Sequence, residues 1–177
     1  RANNELARLI SDILRVTKME SMPIEPAKEV VDINRLVESA VQRLKFIFDE
    51  KRIRVVQDLE PLFSTEGDPH LLLEVITNLV ENAVKYSPPE SQVVIRTREL
   101  PGKISVSVLD EGPGIPPEEL PRVTSKFYRG KTADKTTRGS GLGLYLAKYF
   151  VETHGGELTI QSEWGKGTEV NFTLPIS

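Results

Sequence analysis

Residues 74–86 read Glu74-Val75-Ile76-Thr77-Asn78-Leu79-Val80-Glu81-Asn82-Ala83-Val84-Lys85-Tyr86. At about 100° per residue, Leu72, Ile76, Leu79, Val80 and Ala83 gather on one side of a helix while Asn78, Asn82 and Lys85 line up on the other. The helix is predicted from about Pro69 to Tyr86, with Asp68 as N-cap and Pro69 in the first turn, where a missing N–H does no harm. One asparagine on such a stripe is ordinary surface. Two asparagines and a lysine in register equally suit a hard cation that takes oxygen ligands, with an ammonium beside it for phosphate. Taken alone, the helix leaves the two readings even.

Upstream, Leu6, Leu9, Ile10, Ile13, Leu14 and Val16 recur at helical spacing up to about Glu20. Pro23 and Pro26 then force extended backbone, which places a boundary there. The expected division is a helix over 1–22, a linker over 23–28 and one domain over 29–177; periodicity leaves open whether that helix packs on its own domain or is an arm that needs a partner. Glu29 to Asp32 suggests a short strand. Leu36, Val37, Ala40, Val41, Leu44, Ile47 and Phe48 form the stripe of a second helix, and Ile53 to Asp58 alternates as a strand.

Downstream, strands are predicted over Gln92 to Glu99 and Lys103 to Asp110, divided by Pro101-Gly102. A long irregular stretch follows, Glu111 to Arg138, with room for a short helical turn; segments of that length are usually functional. A last helix is predicted to open at Gly141 and close at His154-Gly155-Gly156. Two strands, Glu157 to Ser162 and Thr168 to Leu174, complete the chain. Alternating helices and short strands imply an α/β (α+β) two-layer sandwich, with helices on one face of a mixed sheet.

Composition narrows the function classes. Lys+Arg 23 against Asp+Glu 26 gives a net charge of -3, without the basic excess that nucleic acid demands. The absence of cysteine removes disulfides, thiolate nucleophiles and thiolate metal sites. No apolar run approaches the roughly 20 residues that span a bilayer, so no membrane contact is expected from this stretch. It opens in mid-helix pattern without Met, and is expected to be a piece of a longer protein.

Two glycine-bearing stretches carry the chemistry. Asp110-Glu111-Gly112-Pro113-Gly114-Ile115 leaves a strand with buried-type residues Val106 and Val108. A strand-end Asp can accept from an exocyclic amine, and glycines behind it admit a flat ring; Asp-x-Gly is also a common turn. Gly139-Ser140-Gly141-Leu142-Gly143-Leu144 precedes a helix, where backbone amides favour an anion. A dinucleotide fingerprint would need Gly at Leu144 and a strand just before, and a Walker loop ending in Gly130-Lys131-Thr132 would need Gly at Ser125. Both fail.

The order of these features resembles the catalytic and ATP-binding domain of sensor histidine kinases. Residues 78–87 are similar to that family's N box, 110–115 to its first glycine box, Lys126-Phe127-Tyr128-Arg129 to its F box, and Gly139 to Leu144 to its second glycine box. His154-Gly155-Gly156 and Gly165-Lys166-Gly167-Thr168, ending in Leu174-Pro175, look like its last helix and closing hairpin. The resemblance covers about Asp32 to Pro175. It implies the Bergerat ATP-binding fold, three helices on one sheet face, preceded here by part of a dimerisation hairpin.

The resemblance also implies the site. Asn82 would bind Mg²⁺, Asp110 would read the adenine amine, and Lys85 and Arg129 would meet phosphate oxygens. Gly112, Gly114, Tyr86 and Ile115 would border the adenine, and Thr168 would support Asp110 through water. A lid from about Leu120 to Arg138 would bring Lys126, Arg129, Lys131, Lys135 and Arg138 to the polyphosphate, with Phe127 of the F box among the nucleotide-site residues, beside Gly139, Ser140, Gly141, Leu142, Gly143 and Leu144. Asn78, Lys85 and Arg129 would be catalytic. Related hydrolases carry a water-activating glutamate where Asn78 stands, and an amide cannot take a proton, so transfer to a side chain is favoured over hydrolysis.

The family phosphorylates a histidine on the first hairpin helix for relay to a response regulator receiver domain, as a homodimer in the cytoplasm, often below a membrane anchor. Only His70 and His154 occur here, in neither case in that context. Two rival readings are an ATP hydrolase of the same fold and a non-catalytic module that docks a response regulator. Small departures are Val170, where the family often has Phe, and Arg138, where Gly is frequent.

Overall fold

The computed structural model describes residues 2–130 and 139–176. In chain order these form α1 (Ala2–Ser21), β1 (Glu29–Val31), α2 (Ile33–Lys51), β2 (Arg54–Leu59), β3 (Thr65–Gly67), α3 (Pro69–Tyr86), β4 (Gln92–Leu100), β5 (Lys103–Asp110), a 3-10 turn (Leu120–Arg122), α4 (Gly143–Thr153), β6 (Glu157–Glu163) and β7 (Gly167–Pro175). The start of α3 is fixed as predicted. Asp68 is extended and its Oδ1 accepts from His70 N at 3.0 Å and Leu71 N at 3.1 Å, with Pro69 in the first turn.

The main sheet has the order β2-β4-β5-β7-β6, with β2 parallel to β4 and the other pairs antiparallel. Alternation along the strands puts Val93 and Ile95, Ile104, Val106 and Val108, and Val170, Phe172 and Leu174 into the core. The buried sides of α2, α3 and α4 cover them, with Phe150, Leu72, Ile76 and Leu79 among the largest fully buried side chains. The expected two-layer fold with a mixed sheet and three helices is the one observed. Among the described residues no helix is long and apolar enough to cross a membrane.

Three details differ from expectation. Asp32 is not in the first strand but caps α2, accepting from Arg35 N at 3.1 Å. The short strand β3 escapes a pattern search because Thr65-Glu66-Gly67 has no apolar alternation; its pairing with β1 makes it a strand. The last helix begins at Gly143, not Gly141, because Gly141 has φ +71, which cannot belong to a right-handed helix.

Candidate active site

Two elements meet edge to end to make the site. Asp110 closes the central strand β5, paired in register with Val93 on one side and Thr168 on the other. The polar stripe of α3 passes beside it. Asn78 is 7% exposed, which disposes of the solvated-surface reading, and its Nδ2 donates to Gly143 O at 3.3 Å across to the start of α4. Asn82 and Lys85 are half-buried on the same side. Between stripe and strand end lies a cleft of about 610 Å³, a size that suits a small-molecule ligand.

Most of the residues singled out from sequence line this cleft. Asn78, Asn82, Lys85 and Tyr86 come from α3, and Asp110, Gly114 and Ile115 from the end of β5 and its loop. Arg129, Gly139, Ser140, Gly141, Gly143 and Leu144 form the opposite rim, with Thr168 from β7. Four do not line it. Gly112 sits under the rim, Leu142 is fully buried, Lys126 pairs with Glu20 of α1 and lies over the Tyr145 ring, and Phe127 is half exposed at φ +59. Lys131, Lys135 and Arg138 lie outside the described residues.

The glycines are required by close approaches. A Cβ on Gly112 would come within 2.8 Å of Asp110 Oδ1 and 3.0 Å of Tyr86 O; Gly114, at φ +76, lies against the backbone of Glu163 and Trp164. The sequence reading missed the side chain that pins this loop. Ser162 Oγ accepts from Ile115 N at 2.8 Å, donates to Gly167 O at 2.9 Å and lies 2.8 Å from Thr168 Oγ1, while Gly165 N donates to Pro113 O at 2.7 Å. As one polar position in an alternating strand, Ser162 carries no sequence signal of that role.

Residues 67–177 match the family model of histidine kinase-, DNA gyrase B-, and HSP90-like ATPases. The chain belongs to that family. It is 33% identical over 176 residues to histidine protein kinase DivJ of Caulobacter vibrioides, covering 99% of this chain and 30% of that protein. It is 32% identical over 174 residues to sensor-like histidine kinase SenX3 of Mycolicibacterium smegmatis, covering 98% and 45%. The chain thus spans less than half the length of these curated relatives. Full-length ShkA, solved in complex with AMPPNP, superposes with a TM-score of 0.88 at 26% identity, over 99% of this chain and 37% of that one. Mycobacterial sensor histidine kinase MprB superposes with a TM-score of 0.75 at 30% identity, over 84% and 97%. The chain is therefore an ATP-binding domain of the histidine kinase type.

Electrostatics in this ATPase domain are asymmetric along the cleft. At one end Asp110 is half-buried, and desolvation pushes its pKa up to about 6 despite amide donors from Gly112 (2.8 Å) and Thr168. At the other end Lys85 is desolvated and faces Arg129, and both influences lower its pKa. Two cations on one cleft, with Glu81 the carboxylate that acts on Lys85, favour an anion there. Against the rim of the cleft lies α1. Arg8 forms a two-pronged pair with Glu81 (both 2.9 Å), and Arg15 pairs with Glu74 (2.6 and 2.7 Å) while covering the Phe150 ring at 4.7 Å. Val16 and Met19 are buried, and Asp12, its pKa raised by burial, lines the cleft with Arg8.

Proposed function

We propose that this chain binds Mg-ATP in the cleft and donates the γ-phosphate to a histidine on the dimerisation hairpin of a two-component sensor kinase, for relay to a response regulator. Residues 1–22 would be part of the hairpin's second helix, 23–28 a linker and 29–177 the catalytic domain, placed in the cytoplasm of a homodimeric kinase. The observation that carries the reading is the arrangement of the cleft itself. A partly desolvated carboxylate stands at one end, and two cations with a glycine-rich helix start stand at the other.

In this reading Asp110 accepts from the adenine amine, with Tyr86 and Ile115 beside the ring. Lys85, Arg129 and the amides of 139–143 neutralise and orient the phosphates, which is most of what phosphoryl transfer asks of a protein. The donors also fit magnesium. Among the described residues no three His, Cys, Asp or Glu side chains cluster to hold a metal. An amide oxygen at Asn82 beside an anion site suits a hard ion that keeps waters and shares phosphate oxygens. Bound there, the cation would offset charge developing on the γ-phosphate. Asn78, an amide already donating to Gly143 O, cannot take a proton from water. The incoming imidazole nitrogen would form the new bond to phosphorus as the bond to the β-phosphate oxygen breaks, releasing ADP.

Incubated with labelled ATP and a separately supplied hairpin that carries its histidine, the chain is expected to label the hairpin and not itself. His154 is engaged at both ring nitrogens, by Phe150 O at 2.6 Å and Asp68 N at 2.9 Å, so it is a structural histidine. Label on the chain alone, or steady multiple-turnover phosphate release, would contradict the proposal.

A second expectation concerns pH. The ionised form of Asp110 is the acceptor, so affinity should be flat above neutrality and fall by about tenfold per pH unit below about 6. Calorimetry with ADP across that range, corrected with Asp110→Asn for the nucleotide's own titration, checks it. A corrected affinity that stays constant down to about pH 5 would refute the role given to Asp110.

A further inference from the structure

Helix α3 ends inside the site, and the last carbonyls of a helix have no intrahelical donor. In this chain the end is tied down in an unusual way. Ser87 donates to Ala83 O from both its N–H (3.0 Å) and its Oγ (2.6 Å). The carbonyls beyond are met by a side chain from a different helix. Lys51, the last residue of α2, donates from Nζ to Val84 O at 2.8 Å, Lys85 O at 3.0 Å and Ser87 O at 3.1 Å. An ammonium has three N–H donors, and all three are committed here. Burial lowers the Lys51 pKa, as expected for a charge drawn partly out of water. The same junction is closed from the other side by Glu90 N, which donates to Lys51 O at 3.0 Å.

What this cup of carbonyls holds is the segment that supplies Lys85 and Tyr86 to the cleft. Tyr86 O in turn lies close against the turn after Asp110, where a Cβ on Gly112 would meet it at 3.0 Å. Lys51 does not itself line the cleft. Its ammonium is nevertheless one backbone unit from the phosphate-facing lysine and from the ring wall at the adenine end.

We propose that Lys51 is a positioning residue of the nucleotide site, fixing the last turn of α3 so that Lys85 and Tyr86 stand at a set distance from Asp110 and the Gly112 turn. The inference deepens the nucleotide-binding reading above and rests on it. A purely architectural role would lower stability and leave the affinity of the folded protein unchanged. A positioning role lowers affinity in protein that is fully folded, because a small displacement of the binding groups is enough to weaken their contacts.

The test compares Lys51→Met with Val37→Ala, a core truncation in the same helix that leaves the carbonyl cup intact. Both are checked by circular dichroism and used well below their Tm. Calorimetry with Mg-ADP should show Lys51→Met binding about tenfold more weakly than the unsubstituted chain, and Val37→Ala within twofold of it. In transfer to a supplied hairpin, the loss should fall on KM for ATP more than on kcat. Affinity within twofold for Lys51→Met, an equal loss in Val37→Ala, or a loss confined to kcat would each overturn the proposal. Should Lys51→Met not fold, Lys51→Gln, which keeps two N–H donors without the charge, carries the same comparison. Failure of the unsubstituted chain to bind nucleotide would overturn the nucleotide reading, and this inference with it.

Discussion

Asp110→Asn should weaken nucleotide binding by about 100-fold while leaving the unliganded chain as stable as before, or more so, at neutral pH. The two effects share one cause. The amide is nearly isosteric and its oxygen can still receive the Gly112 and Thr168 amides, but its NH₂ would face the adenine amine donor to donor. A folded pKa of about 6, against 3.8 for the free group, opposes the ionised form by about 3 kcal/mol. The sign follows. A carboxyl whose folded pKa is raised favours the fold at low pH and weighs against it above about 6, so removing the charge relieves the protein where the carboxylate would be ionised. Calorimetric titration with ADP and thermal melts at about pH 7.5 read the two outcomes. Retained affinity would mean that the carboxylate does not touch the ligand.

Asn82→Ala should abolish the magnesium dependence of binding and reduce transfer to a supplied hairpin by more than about 100-fold. The adenine end of the cleft is untouched by this change, so ADP without metal should bind about as it does to the unsubstituted chain. Affinities measured with magnesium and with chelator separate the two ends. A variant that kept its preference for the magnesium complex would remove Asn82 from the role proposed for it. Asn82 is half-buried on the exposed flank of α3, so its truncation opens no core cavity and the fold should survive.

Much of this was legible in the sequence because it was written in local signals. Asp68 and Pro69 mark the start of α3 by capping chemistry alone, and apolar periodicity separates its core side from the asparagine stripe. The glycine-bearing turns were legible for a related reason: only glycine fits where backbone meets backbone, as at Gly114. What stayed hidden depends on partners distant in sequence. Thr65-Glu66-Gly67 becomes a strand only through β1. Ser162 falls on the inward side of β6 with Leu158 and Ile160 but reads as one small polar residue at a strand end until Ile115 N is found on it, 47 positions away. Lys51 reads as the basic last turn of a helix, a common place for lysine, yet its donors satisfy another helix. Lys126, assigned to phosphate by resemblance, pairs with Glu20 of α1 at a position that does not line the cleft.

The two arginine pairs of α1 have a geometric meaning beyond their strength. Exposed or half-exposed ion pairs contribute at most about 1 kcal/mol each. Yet Arg8 meets Glu81 and Arg15 meets Glu74, seven residues apart in opposite directions, so the helices run head to tail with two matched pegs one heptad apart. Sliding α1 by a single turn, about 5.4 Å, would unseat both pegs together. The two pairs therefore set the register of α1 rather than supply its grip, which comes from the buried Val16 and Met19, and that register is set on the helix whose neighbouring asparagines face the cleft.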